Sequence, residues 1–351
     1  MNTKTIRSLL ALLLCAALCL GLAACTRGAA PETDAEPDER ENDTTPVETN
    51  DAANETETVP VRVMTLNGTT GFGMAALIAA SDKGEAALNY SFSVESDPSA
   101  VTAALVSGDC DLAALPTNAA AALYNKTEGK VQILALNTLG VLYLVSDGSV
   151  EVTSFADLDG QTVYAPAQNP SFIFEYLCKA NGVDVTIDNT YAQPAELNAA
   201  ISSGKVALAV LPEPMVTVAR AQNAELSVAL DLTAEWDKVA EPGSLVQGCV
   251  VVRTEFAEAN PDAVRVFLEE YGASVDLLQS DTEAAAALIE QTGIFTKAAV
   301  AAKAIPNCNV CFITGREMQK SMCAFLQIMY ETAPQSIGGK LPAEDFYCIL
   351  P

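Results

Sequence analysis

The sequence predicts an α/β fold built as two similar lobes with a ligand cleft between them, and three observations predict it. Segments 103–118 (AALVSGDCDLAALPTN) and 199–214 (AAISSGKVALAVLPEP) align without a gap. Each reads as a helix end closed by Ser-Gly, a short apolar strand, then Leu-Pro and a polar residue opening a further helix. One duplication of this kind points to two lobes, since a solenoid needs several stacked copies. Secondly, strand-length apolar runs alternate with helical segments from Val61 onward. Thirdly, two segments read as crossings between the lobes: Asn137-Thr-Leu-Gly140 inside the apolar stretch Val131–Ser146, and Val246–Arg253 after Trp236. The carboxyl edges of open α/β sheets are where ligands bind, and two such edges facing each other make a cleft.

In chain order, Met1–Arg7 carries Lys4 and Arg7, and Leu9–Leu20 is almost wholly apolar. That core is short for a membrane span and fits a secretory leader over residues 1–24. From residue 25 to about residue 60 acidic residues, Thr, Pro and Asn dominate and large apolar residues nearly vanish, which predicts an extended tether. The lobes are then expected at 61–145, 146–243 and 244–351, the last returning to the first lobe. Val61–Leu66 alternates like a strand, Asn67–Gly73 is a glycine-rich turn, and Met74–Ser81 a helix. Tyr90–Glu95 and Asp111–Leu115 read as strands, Pro98–Val106 and Ala119–Tyr124 as helices. In the second lobe, strands Gln161–Ala165 and Val206–Leu211 alternate with helices Phe172–Ala180, Ala195–Ser203 and Met215–Ala221. Helical segments are expected from the second crossing to about Glu331.

Composition excludes several functions. A net charge of −26 leaves no basic face for nucleic acid. No histidine occurs anywhere, which removes histidine triads, histidine general bases and histidine metal ligands together. Of the 10 cysteines, seven follow Cys25, and Cys308-Asn-Val-Cys311 has C-x-x-C spacing without a second pair to complete a zinc site. A buried or incidental cysteine pair is the reading taken there, and neither metal nor cofactor is expected. The glycines at 68–73 are wrongly spaced for a dinucleotide fingerprint.

Several motifs carry a resemblance. Leu22-Ala-Ala-Cys25 resembles the lipobox of bacterial lipoproteins, which implies cleavage before Cys25, a lipid on its thiol, and an extracytoplasmic protein anchored to the cell membrane. Gly108–Asn118 resembles the first-lobe motif of the extracytoplasmic solute-binding proteins of ABC importers. Phe155-Ala-Asp-Leu-Asp-Gly-Gln-Thr-Val163 is similar to their entry into the second lobe, and Val252–Phe256 with Asn260-Pro261 and Phe267-Leu268 to their return. The branch resembles the taurine-, nitrate- and thiamine-precursor-binding proteins, which implies the type II periplasmic-binding fold. The resemblance implies capture of a small molecule by hinge closure and delivery to a permease and its ATPase. Two other functions remain open on the same fold. One is thiamine-pyrimidine synthesis, which in that family involves a histidine this chain lacks; the other is ligand-dependent sensing or adhesion at the surface.

The expected ligand contacts sit at turns that open helices, where free N–H groups gather: Thr69, Thr70 and Phe72; Thr117 and Asn118; Asn169 and Ser171; and Glu213. Asn137, Thr138 and Gln247 join them from the crossings. Thr117, Asn118, Asn169 and Ser171 are equally good helix caps, and Phe72 equally good core. None of these turns holds Lys or Arg, the usual clamps for oxyanions. Glu213 is either a first-turn acid favoured by the helix dipole or an acceptor for ligand N–H, and the latter favours an amine or heteroaromatic ligand.

Overall fold

The computed structural model describes residues 59–350. The expected leader 1–24, the lipidation site Cys25 and the acidic run to residue 58 lie outside the described residues. The chain begins with β1 (Pro60–Leu66), α1 (Thr69–Phe72), α2 (Ala75–Asp82), β2 (Asn89–Glu95), α3 (Pro98–Ser107), β3 (Leu112–Pro116), α4 (Thr117–Thr127) and β4 (Val131–Thr138). It crosses over and continues through β5 (Leu142–Ser146), β6 (Thr162–Tyr164), α5 (Asn169–Asn181), β7 (Thr186–Asp188), α6 (Pro194–Ser202), β8 (Leu208–Pro212), α7 (Met215–Gln222), β9 (Ser227–Asp231) and α8 (Leu232–Val239). After the second crossing come β10 (Gly248–Arg253), α9 (Thr254–Ala259), α10 (Pro261–Ser280), α11 (Thr282–Gln291), α12 (Ala298–Ala304), β11 (Val310–Ile313) and α13 (Gly315–Thr332).

Two sheets result. The first has strand order β11-β4-β10-β3-β1-β2 and the second β7-β6-β8-β5-β9. The duplication seen in the sequence is a duplication of topology. β1 lies parallel between β2 and β3 as β6 lies parallel between β7 and β8. Beside β3 stands antiparallel β10, and beside β8 stands antiparallel β5. Each of those antiparallel strands follows directly on a crossing, so each sheet is completed by chain arriving from the other half.

Local chemistry explains the repeated units. β3 (LAALP) and β8 (LAVLP) are buried along four consecutive residues. Continuous apolar runs suit strands whose two faces are both covered. α3 opens with Asp97, whose side chain accepts from the Ser99 N–H at 2.9 Å, and closes at Gly108 in the left-handed region at φ 81°. α6 opens on Pro194 with Glu196 in its first turn and runs out before Gly204, whose φ of 70° again suits glycine.

The structure departs from the sequence expectation in four places. The first crossing falls at residues 139–141, so Leu142–Ser146 pairs in the second sheet instead of closing the first lobe at residue 145. The turn after β1 holds the single helical turn α1, and Gly71 there packs under the Leu66 carbonyl where any Cβ would collide. The edge strands β7 and β9 are short and half polar, which hides them from a periodicity search. β11 interrupts the expected helical run because Val310–Ile313 completes the edge beside β4. α13 then packs against both halves, with Phe325 lying 6.0 Å, ring to ring, from the fully buried Trp236 of α8.

Candidate functional site

The turns after β1, β3, β6 and β8 meet at the seam between the two sheets, and four of the expected contacts there build the hinge. Gln247 accepts the Val141 N–H on its side-chain oxygen at 2.7 Å and donates its own N–H to the Thr138 carbonyl at 2.9 Å, tying one crossing to the other. Thr117, wholly buried at the start of α4, donates its hydroxyl to the Val246 carbonyl at 2.7 Å and its N–H to the Gln247 carbonyl at 3.2 Å. The Thr138 hydroxyl donates to the Asn137 side-chain oxygen at 3.0 Å, and the Asn137 amide donates to the Thr70 carbonyl at 3.2 Å. Gly248 is required beside them, since a Cβ there would run into the Asn137 oxygen and the Thr138 side chain. The side-chain groups of Thr117, Asn137, Thr138 and Gln247 are thus engaged by backbone and by one another, and they hold the crossings.

Phe72 is core. It is 1% exposed, lies edge-on to Phe295 at 6.2 Å and packs in the apolar layer under the first sheet, so the expectation of a ligand platform is corrected. Ser171 is pinned as well, donating to the Pro166 carbonyl at 2.8 Å and accepting from Asn189 at 2.5 Å. Thr69 reaches across the seam to the Glu213 backbone carbonyl at 2.8 Å, with the Cys308 sulfur at 3.6 Å. Burial pushes that thiol up to about 12, so it stays protonated.

Glu213 lies just ahead of α7, outside its first turn. Its two carboxylate oxygens accept from the Thr217 N–H at 3.1 Å and the Thr217 hydroxyl at 3.0 Å, which caps the first turn of α7. Burial raises its pKa above the ordinary carboxylate value, against the lowering pull of those two bonds and of Arg220. The carboxylate is already engaged, which removes the original ground for an amine-bearing ligand.

Two expected residues keep unengaged groups. Asn118, on the second residue of α4, and Asn169, on the first of α5, are 7% and 8% exposed, and the side-chain oxygen of each is buried without a hydrogen-bond partner. They come from different sheets. Asn118 lines a chamber of about 780 Å³ together with Gln168, the neighbour of Asn169. Gln168 sits at φ 71°, a left-handed backbone rarely adopted by a side-chain-bearing residue and a kind of strain concentrated at functional sites. α3 and α4 form the long walls of the chamber, and Lys126 marks its far end. Lys126 is eight positions after Asn118 and shares its helix face, a phase relation that would have found it.

Asp111 of the Gly108–Asn118 motif belongs to the opposite end of β3. It is 2% exposed and is held by Arg62 at 2.6 and 2.8 Å and by Arg253 at 2.9 Å. Burial alone would raise its pKa, yet the two guanidinium groups and the Arg62 N–H bring it below the usual range. All seven described cysteines are free, and no cluster that could hold a metal occurs among the described residues.

The family model described as NMT1/THI5 like matches residues 72–285, more than half of the chain. No curated protein matches the sequence. Among solved structures, an ABC transporter protein from Parabacteroides distasonis is 24% identical with a TM-score of 0.69, over 82% of this chain and 98% of the other. The periplasmic aliphatic sulphonate-binding protein of Escherichia coli is 15% identical with a TM-score of 0.65, over 83% and 96%. The zinc-bound ligand-binding component of an ABC-type import system from Staphylococcus aureus is 14% identical with a TM-score of 0.64, over 83% and 96%. The two-sheet architecture is that of the periplasmic-binding-protein fold.

Proposed function

The chain belongs to the NMT1/THI5-like family, and from that footing we propose that it is the substrate-binding component of an ABC importer, holding a small molecule between its lobes and handing it to a permease with its ATPase. Closure about the paired crossings is the mechanism: contacts to both lobes favour the closed arrangement over the open one. The observation that carries the reading is the pair of orphaned oxygens on Asn118 and Asn169, one from each lobe. A buried acceptor without a donor costs about 1–3 kcal/mol, which a ligand N–H or O–H removes on binding. The ligand therefore presents an N–H or O–H to these oxygens; turns 69–72, 116–118, 168–171 and 212–214 hold no Lys or Arg, and Lys126 is the one cation lining the chamber among the described residues. Binding rather than catalysis is supported by a sequence without histidine, the residue most used for proton transfer near neutral pH.

The test is a thermal-shift screen of amines, nucleobases, vitamins and sulfonates, followed by calorimetric titration. A true ligand at a hundred times its dissociation constant adds roughly 2.7 kcal/mol of stability. Asn118→Ala and Asn169→Ala should each weaken it by about tenfold or more. Turnover of the ligand, or a sulfonate that binds both variants as well as the parent, overturns the reading.

We further propose that the domain is a lipoprotein anchored outside the cell through Cys25, on the strength of Leu22-Ala-Ala-Cys25 after an apolar core. Cys25→Ser should release the protein from the membrane fraction or stop its maturation; a variant that matures and fractionates like the parent refutes the anchor.

A further inference from the structure

A separate cavity of about 550 Å³ shares no lining residue with the Asn118 chamber. Glu213, Thr217 and Arg220 line it from the β8–α7 unit, Asp231 from the end of β9, and Lys303 and Asn307 from the α12 region. Its acids are engaged. Thr217 holds both Glu213 oxygens, and one Asp231 oxygen accepts from the Thr233 and Ala234 N–H groups at 2.9 and 3.3 Å, capping α8. Its cations make no hydrogen bond to a side chain, although Arg220 lies near enough to Glu213 to lower its pKa. Among the described residues Arg62, Arg253, Arg265 and Arg316 each donate to a side chain, and Arg220 does not. Lys303 likewise makes no ion pair among the described residues. Both stand in the last turn of their helices, where the dipole favours a cation, and neither is within ion-pair distance of a carboxylate among the described residues.

We propose that this cavity binds a small dianion, a dicarboxylate or a phosphate monoester, with one charge on Arg220 and the other on Lys303. A planar guanidinium takes an oxyanion in a two-bond fork, and the volume suits a small metabolite. α7 belongs to the second lobe, whereas α12 lies in the segment that returns to the first sheet. An occupant therefore bridges the seam and favours closure from a place other than the Asn118 chamber.

The experiment is calorimetric titration of the full chain at low ionic strength with succinate, with glycerol phosphate, and with acetate as a monoanion control. At least one dianion should bind with one-to-one stoichiometry, and acetate at least about tenfold more weakly. Arg220→Gln and Lys303→Gln, each confirmed as folded by circular dichroism, should weaken the dianion by about tenfold or more, and added salt should weaken it further. Asn118→Ala should leave it unchanged, which separates this site from the proposed transport ligand. The proposal is overturned if neither dianion binds saturably, if Arg220→Gln binds like the parent, or if Asn118→Ala abolishes the binding.

Discussion

Thr69 and Glu213 are 144 positions apart and stand at the ends of strands in different sheets, yet the Thr69 hydroxyl donates to the Glu213 backbone carbonyl at 2.8 Å. Both residues are buried, so the bond forms where water is scarce. It closes the seam between the carboxyl edges, independently of the crossings that Gln247 and Thr117 tie together.

Thr69→Val keeps the shape and removes the donor. The Glu213 carbonyl is then buried without a partner, and the cost should be about 1–3 kcal/mol. Urea unfolding of parent and variant measures it. An unchanged midpoint would mean that the seam opens enough for water to replace the hydroxyl, and small-angle scattering would then show a larger radius of gyration.

Glu213→Gln addresses the cap and the pH profile. Burial makes the ionised carboxylate the costlier form in the folded protein, and Gln keeps one acceptor for Thr217, so the variant should unfold no earlier than the parent at pH 7. Because burial raises the folded pKa above the ordinary value of 4.5, the Glu213 contribution is full below that value and declines as pH rises through the folded pKa. The variant should lack that decline. Matching slopes for parent and variant, in unfolding curves collected from pH 4 to pH 8, would contradict the assignment.

Much of this was legible in the sequence, and what was lost has physical reasons. The duplicated helix-strand-helix unit, both crossings and the helix ends at Gly108 and Gly182 follow from local rules, because turn glycines and apolar period are local properties. Thr117, Thr138 and Gln247 could be placed at the seam but not assigned a partner, since Val246, Asn137 and Val141 meet them only in the folded chain. The two readings of Glu213 could not be separated for the same reason: Thr217, four positions on, could not be seen to hold it. Arg220 and Lys303, which the proposed dianion site would use, carry no sequence signal, because each lies in a helix last turn, where a cation looks ordinary.

Asp111→Asn should destabilise the first lobe by about 1–3 kcal/mol, because Arg62 and Arg253 lose a charged acceptor while staying partly solvated. With its folded pKa below the unfolded value of 3.8, the wild-type contribution is present above that value and disappears as pH falls through the folded pKa. Acid unfolding monitored by circular dichroism should therefore be less steep in the variant. Equal steepness would assign the acid transition to other carboxylates.

Gly248→Ala tests the hinge. Its Cβ would meet the Asn137 oxygen and Thr138, so Asn137 must swing away and release the Thr70 carbonyl. Overpacking of this kind costs about 1–3 kcal/mol. Thermal unfolding would register it, and a neutral result would show that the crossings tolerate a wider separation.

The exchange of strands between the halves has a consequence for how the polypeptide acquires its shape. β3 and β4 do not touch in the finished sheet, because β10 lies between them and arrives more than a hundred residues later. Until then the first sheet has a gap one strand wide, about 4.8 Å. Pairings this distant along the chain are slow to form. A ribosome that has released only residues up to 240 has supplied every strand of the second sheet but still lacks β10 and β11 of the first, so the half of the molecule that begins first is the last to set.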